Sequence, residues 1–240
     1  MKLDFHEVEE FRGARILRQA AGLAYAYETS HASADADGAP NAYHPDDLGK
    51  SCRRDPHIGL DCLGNAGYPD SDWWRDVLVP DPHDDTKAYV QPAGPTKGFF
   101  VAATALRHPG GSKLDPTTFV DATQVPYIVN PSGIEALPGI SKPGDVGFAT
   151  HLSSGRNTAF IVGDAGGGSD ARLGEGSIAL FAALGFPSAN PRTGAGLPRD
   201  KVQYIVFPKS RRSGAGIWPR TNADIQTQVA DLLRNTPGMS

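Results

Sequence analysis

The stretch from Thr158 to Gly185, TAFIVGDAGGGSDARLGEGSIALFAALG, constrains the fold more than any other. Its first residues, Ala159 to Val162, are a short unbroken apolar run and predict a buried strand. A carboxylate, Asp164, stands at the end of that strand. A glycine-rich loop follows, then a second carboxylate, Glu175, at the mouth of an apolar helix from Ser177 to Leu184. Gly185 falls where a left-handed C-terminal cap is required. Two acids on either side of a glycine loop can face one cavity from opposite sides. One then protonates a leaving group while the other activates water. Each piece also has a local explanation. Glu in a first helical turn complements the helix dipole, and Asp after a strand is ordinary turn chemistry. A phosphate-loop reading of the glycines fails because no Lys-Ser or Lys-Thr follows them.

The chain has 240 residues, enough for one large domain or two small ones and for a real core. No repeat or linker divides it, so a single catalytic-size domain over 1–240 is expected, with its core at about 23–220. Gly 28 and Pro 20 are high counts, and long helical runs are few. That combination favours a turn-rich, mostly β architecture of the α+β class. The net charge of -4 provides no basic footprint for nucleic acid. No segment is long and apolar enough to span a bilayer. The amino terminus, MKLDFHEVEEFRGAR, carries charges where a signal peptide needs an apolar core. The chain as written is therefore cytosolic, exported without a cleavable signal, or already relieved of one.

Cys52 and Cys62 would close a short loop in an oxidising compartment, stabilising by roughly 2–3 kcal/mol, and would be free thiols in a reducing one. No CxxC or HxxxH spacing offers a zinc site. His31, His44, His57, His83, His108 and His151 are scattered singly. The run Asp35-Ala36-Asp37-Gly38 invites a calcium reading. Aligning Gly38 with the EF-hand glycine puts Ser33 and His44 where carboxylates belong, so it is not an EF-hand loop. A looser calcium site or an acidic turn remains open there.

Along the chain, a short helix is expected around Val8 to Gln19 and a strand over Leu23 to Glu28. Residues 45–97 are irregular, and of the adjacent Trp73 and Trp74 at least one belongs to the core. Gly98 to Thr104 predicts a buried strand. Asp121 to Pro131, with two prolines, predicts an edge or short strand. Lys142 to Asp145 is a turn, with strands following at Val146 to Thr150 and Val202 to Phe207. A last helix, within 222–235, begins at an Asn222 cap and places Ile225, Val229, Leu232 and Leu233 on one face.

Taken together, Asp35 to Pro40, Val125 to Val129, Lys142 to Asp145 and the central stretch resemble the glycoside hydrolase family 75 chitosanases, known from fungi with bacterial relatives. The family pattern is strand, Gly-Asp, a short Gly/Pro loop, then Gly-Glu-x-Ser and a helix. Here it reads Gly163-Asp164 and Gly174-Glu175-Gly176-Ser177, and the similarity runs from about Tyr25 to Trp218. Two departures stand out. The loop Ala165-Gly166-Gly167-Gly168-Ser169 lacks the proline expected after its first glycine, and there is no signal peptide. The resemblance implies an endo-acting hydrolase that cleaves β-1,4 bonds between glucosamine units with inversion, Asp164 and Glu175 being the essential carboxylates. It assigns Glu175 as acid and Asp164 as base, although a helix N-terminus favours an ionised Glu175 and a neighbouring ionised Asp164 opposes that. It also implies a six-stranded double-psi-like β-barrel with a few peripheral helices, acting outside the cell or in the periplasm.

A chitosan chain carries an ammonium on each free sugar, so acidic and aromatic groups should line its subsites. The candidates are Asp35, Asp37, Asn41, Tyr43, His44, Asp121, Tyr127 and Asp145. No cofactor or metal is expected, and the protein is expected to work as a monomer on a polysaccharide. Two other readings compete. A muramidase would cleave the glycan of peptidoglycan on the same scaffold, and a non-catalytic module would only bind glycan.

Overall fold

The computed structural model describes residues 5–236. It is mostly β with a few helices. Nine strands form one mixed sheet: β1 (Phe5–Phe11), β2 (Ala14–Gln19), β3 (Tyr25–Thr29), β4 (Ser33–Asp35), β7 (Tyr127–Pro131), β8 (Val146–His151), β9 (Asn157–Gly166), β10 (Glu175–Ser177) and β11 (Val202–Phe207). The order across the sheet is β1-β2-β3-β11-β8-β9-β7-β10-β4. Pairing is antiparallel except for β7 with β9 and β4 with β10. A separate two-stranded ribbon pairs β5 (Pro80–Asp81) with β6 (Asp84–Ala88). The helices are α1 (Trp74–Val77), α2 (Ile178–Ala183) and α3 (Asn222–Asn235).

Strand alternation builds both cores. In β11, Val202, Tyr204 and Val206 enter one apolar cluster, while Ile205 and Phe207 enter the other. In β9, Phe160 and Val162 face the first cluster, while Ala159 and Ile161 face the second. Successive residues of a strand point to opposite faces, so a sheet covered on both sides must be apolar at nearly every position. Leu180 and Leu184, at α2 and its C-cap, pack into the first cluster. The second is covered by α3, which lies against β8 and β9 through Ile225 and Val229, and by the irregular segments between residues 36 and 125.

Several expectations need correction. Residues 8–19 are not a helix but most of the β1–β2 hairpin. Arg12 and Gly13, at φ 46 and 86, form its two-residue turn, which favours left-handed backbone at both positions. The sheet does not close. Its outer strands are β1 and β4, so the fold is an open mixed sheet of the mostly-β class rather than an evident six-stranded barrel. β7, of five residues, is the short strand of the two alternatives and not the edge one. It lies between β9 and β10 with all five residues buried. Its prolines do not interrupt it because Pro126 precedes the strand and Pro131 ends it. Within Gly98 to Thr104, Phe100 to Ala102 and Thr104 are buried, but the segment makes only isolated bridges, Val90 with Phe100 and Leu78 with Ala102. The final helix is capped by Thr221 in a capping box with Asp224, one residue before Asn222.

Other elements agree with expectation. β3, β8 and β11 match within a residue or two at each end, Gly185 has φ 102, and Trp74 is core while Trp73 is 47% exposed. Cys52 and Cys62 are joined in a disulfide. No helix among the described residues is long and apolar enough to cross a membrane.

Candidate active site

The Gly-Asp pair of β9 is a β-bulge. In the parallel ladder Tyr127 pairs with Ile161 and Ile128 with Val162, but Val129 pairs with Asp164, leaving Gly163 as the extra residue. The bulge decides where the carboxylate goes. Simple alternation from Val162 would turn Asp164 into the apolar cluster that holds Val162 and Ile128. One extra residue turns it to the opposite face, with Val129 and Tyr127. Gly163 is glycine because the Tyr127 side chain lies against it. A Cβ there would come within 2.6 Å of the Tyr127 ring.

The Gly-Glu-Gly-Ser segment has equally local reasons. Gly174 adopts φ +116, and a Cβ there would meet the His31 carbonyl oxygen at 2.1 Å. A Cβ on Gly176 would meet Leu180 at 2.4 Å and the Tyr127 carbonyl oxygen at 2.7 Å. The two glycines therefore let β10 slip between β7 and β4. Ser177 accepts from the Leu180 and Tyr127 amides, both at 3.0 Å, and donates to the Val125 carbonyl at 2.8 Å. It thereby ties the start of α2 to β7. The loop before β10 is pinned as well. Arg12, at the hairpin tip, donates to the Ala171 carbonyl and to the Ser132 carbonyl, the latter at 2.7 Å. Ser132 Oγ donates to the Gly167 carbonyl at 2.8 Å.

These registers bring the two acids to one face. Gly176 pairs with Ile128, so one antiparallel step carries Glu175 to the level of Val129, which Asp164 meets from the other side. Strands lie about 4.8 Å apart, so the two backbones are roughly 10 Å apart across β7. Side chains leaning over the same face from that spacing suit the roughly 6.5–9.5 Å separation that an inverting pair requires.

Three further carboxylates surround the pair. Asp35 accepts from Tyr127 Oη at 2.9 Å and from the Asp37 amide at 2.8 Å. Asp37 accepts from Tyr43 Oη at 2.7 Å, while its carbonyl accepts from Tyr127 Oη at 2.9 Å. Asp61 is buried and accepts from the Cys62 amide at 2.7 Å and from Asn65 Nδ2 at 2.8 Å. Burial raises every one of these acids. It pushes Asp61 up to about 6. Burial and then the Asp35 charge push Asp164 up to about 8. Burial followed by Asp35, Asp164 and Asp61 pushes Glu175 up to about 8. Asp37 is raised well above the carboxylate range by burial and by Asp35 and Asp164. The group therefore shares protons near neutral pH instead of carrying a full charge on each member.

The hydrogen bonds distinguish the two acids. Asp164 Oδ1 accepts from the backbone amides of Ala105 at 2.7 Å and Ala165 at 2.8 Å, and both bonds stabilise its ionised form. Glu175 accepts none among the described residues, so nothing offsets the cost of charging it. Nor does the helix dipole act as the sequence implied. Glu175 lies in β10, ahead of the Ser177 cap, and the helix that follows has only six residues.

Oxygens of Asp35, Asp37 and Asp164 lie within 4.8 Å of one another, a spacing at which a hard divalent cation can be held. Tyr127, Tyr43 and the amides of Asp37, Ala105 and Ala165 already donate to these carboxylates.

Of the residues read from sequence, the structure brings together Asp35, Asp37, Tyr43, Tyr127, Asp164 and Glu175. Other candidates are engaged locally. His44 caps a short 3-10 turn at Pro45–Asp47 and meets Phe99 edge-on. Asp121 accepts from the amide and hydroxyl of Thr123. Asp145 accepts from the Lys142 and Arg211 amides, both at 2.8 Å, and fastens the turn before β8. Asn41 contributes its carbonyl to the Leu60 amide. Asp61 escaped the sequence reading because it sits in what looks like turn chemistry, beside Cys62. The adjoining cysteine was the available signal.

Comparison with protein-family models and with curated proteins finds no match for this chain.

Proposed function

We propose that this protein is an endo-acting glycoside hydrolase that cleaves the β-1,4 bonds of chitosan with inversion, Glu175 serving as general acid and Asp164 as general base. The observation that carries the reading is the bulge at Gly163. It places Asp164 on the same face as Glu175, one strand to either side of β7. A sugar chain lying over β7 would have one acid on each side of its scissile bond. Glu175, raised and without a hydrogen-bond donor, gives its proton to the glycosidic oxygen as the C–O bond breaks. Water attacks the anomeric carbon from the opposite face and passes its proton to Asp164, whose negative charge the two backbone amides stabilise. Proton exchange with solvent then restores both groups.

The acids Asp35, Asp37 and Asp61 crowd the pair, and the negative charge this group shares favours a cationic glycan over a neutral or anionic one. The reading takes the strands around β7 as the counterpart of a double-psi barrel core, supported by the two parallel pairs that flank β10 and β9. The disulfide supports a site of action outside the reducing cytosol.

The test is reducing-end release from chitosan of defined acetylation, with purified peptidoglycan in parallel, for the wild type, Glu175→Gln and Asp164→Asn. Chitosan cleavage abolished in both variants is expected. Cleavage of peptidoglycan alone would keep the pair and replace the substrate. Glycan binding with no release from either polymer would replace hydrolysis with a binding role.

A further inference from the structure

Of the three tryptophans, Trp74 and Trp218 are 2% and 4% exposed and belong to the core, whereas Trp73 is 47% exposed. A single exposed apolar side chain is ordinary. This one is held in a fixed pose by the backbone beneath it. The Gly67 carbonyl accepts from the Ser71 amide at 2.9 Å, the Ser71 carbonyl from the Trp74 amide at 3.2 Å, and the Trp73 carbonyl from the Asp76 amide at 2.9 Å. A Cβ on Gly67, where φ is +70, would lie 2.6 Å from Cε2 and Cζ2 of Trp73 and 2.9 Å from Cδ2. Two of those atoms join the rings of the indole, so the glycine backbone lies against the ring face and not its rim. A larger residue there would displace the ring. One face is therefore closed by the chain, and the exposure belongs to the opposite face and the rim.

The surroundings of that ring are acidic. Asp70, Asp72 and Asp76 are exposed and stand within three residues of it. Asp72 precedes Trp73, and Asp76 follows by one helical turn, a spacing that places both side chains on one face. The basic residue among them, Arg75, lies over the Trp74 ring at 4.6 Å and donates to the Asp85 carbonyl at 3.0 Å. It reaches Asp72 only at 4.0 Å. Three carboxylates against one engaged guanidinium leave the patch negative. An aromatic face beside carboxylates suits a cation with an apolar body, because the ring quadrupole attracts a cation over the face, most strongly for Trp. A glucosamine unit has both parts, a flat array of C–H bonds and an ammonium. The patch also lies near the acidic group. Asp61 and Gly67 are six residues apart, joined by tight turns in which the Ala66 and Gly67 amides donate to the Leu63 and Gly64 carbonyls, both at 3.1 Å. Even a fully extended chain of that length spans only about 22 Å.

We propose that Trp73 is a surface platform for a glucosamine unit of a long chain, apart from the point of cleavage, with the sugar stacked on the indole and its ammonium held by Asp72 and Asp76. The choice of a glucosamine polymer rests on the proposed function, while the platform rests on Trp73, Gly67 and the surrounding acids. It touches none of the reacting atoms, so it acts on affinity for the polymer and not on the chemical step.

The other two indoles are buried, so acrylamide quenching of tryptophan fluorescence reads the platform directly. The full chain is used with Glu175→Gln, so that a glucosamine hexamer is not consumed. The hexamer should lower the quenching toward that of the same chain with Trp73→Ala. Asp72→Asn with Asp76→Asn, both at exposed side chains, should raise the hexamer concentration required severalfold. Neutral cellohexaose should give no protection. In the otherwise wild-type chain, Trp73→Ala should raise KM for polymeric chitosan by roughly two- to fivefold, the size of a cation–π contact at an exposed site, with kcat unchanged. Quenching unchanged up to millimolar hexamer, or equal protection by cellohexaose, overturns the platform. Reducing ends released with no protection of Trp73 leave the hydrolase reading standing without the platform. Protection with no ends released leaves the platform standing without hydrolysis.

Discussion

Tyr127→Phe isolates the link between the fold and the acidic group. The Tyr127 hydroxyl donates at 2.9 Å both to Asp35 Oδ2 and to the Asp37 carbonyl, and the residue is fully buried. Burial and the neighbouring Asp35 and Asp37 charges hold its pKa well above the usual tyrosine range, so it stays a donor across the working pH range. Removing the hydroxyl leaves two buried acceptors short of a partner. One is the Asp37 carbonyl. The other is Asp35, which retains the Asp37 amide at 2.8 Å. Unsatisfied buried groups cost about 1–3 kcal/mol each, and relaxation of the pocket offsets part of that, so a loss of about 2–3 kcal/mol is expected. At this chain length such a loss lowers Tm by roughly 4–12 °C. A second effect follows in the pH profile. With one donor gone, Asp35 is less able to carry charge. Its charge is the leading electrostatic cause, after burial, of the raised values at Asp164 and Glu175. A more protonated Asp35 lowers both, so the activity optimum should move toward acid. Thermal melting and a pH–rate profile on soluble chitosan measure the two effects. A Tm unchanged within error, or an optimum displaced toward alkali, would refute the assignment of Tyr127 as the support of this group.

Three other predictions concern the same centre. Folding raises Asp164 from 3.8 and Glu175 from 4.5, each to about 8, so the folded state binds more protons than the unfolded state between those limits. Their contribution to stability is complete below the unfolded values and is lost as pH rises through the folded ones. Tm should therefore fall from about pH 5 to about pH 8, and Glu175→Gln should flatten that slope while abolishing activity; an equal slope in the variant would count against a protonated Glu175. Gly163→Ala should cost about 1–3 kcal/mol and most of the activity, because its Cβ would press on the Tyr127 ring at 2.6 Å, and differential calorimetry with the reducing-end assay would show both. Chelation by EDTA should leave the rate of chitosan cleavage unchanged. A loss reversed by added calcium or magnesium would show that Asp35, Asp37 and Asp164 work around a cation.

The sequence was most legible where side-chain period alone decides the outcome. β8, β11 and the Ala159–Val162 run of β9 are largely apolar because both faces of the sheet are covered, and these runs stand out. The β1–β2 hairpin was hidden because its turn is Arg12-Gly13, not Asn-Gly, and its charged strands read equally well as an amphipathic helix. The prolines around β7 left an edge or a short strand open, and only the observed pairing shows a short internal one with the prolines at its ends. At the site, Asp164 and Glu175 were visible as acids beside glycines. The bulge that turns Asp164 to the right face was not visible, since a one-residue slip of register leaves no mark on composition. Asp61 arrives through tertiary folding, on the disulfide-closed segment, and has no motif of its own.

The most direct test of the central claim is the anomeric configuration of the first product. Proton NMR of a glucosamine oligomer, recorded in the first minutes of digestion, reports it before mutarotation. Inversion by Glu175 and Asp164 predicts that the new reducing ends appear as the α-anomer, with no signal from Glu175→Gln or Asp164→Asn. New ends appearing first as the β-anomer, or at wild-type rates in either variant, would contradict the account.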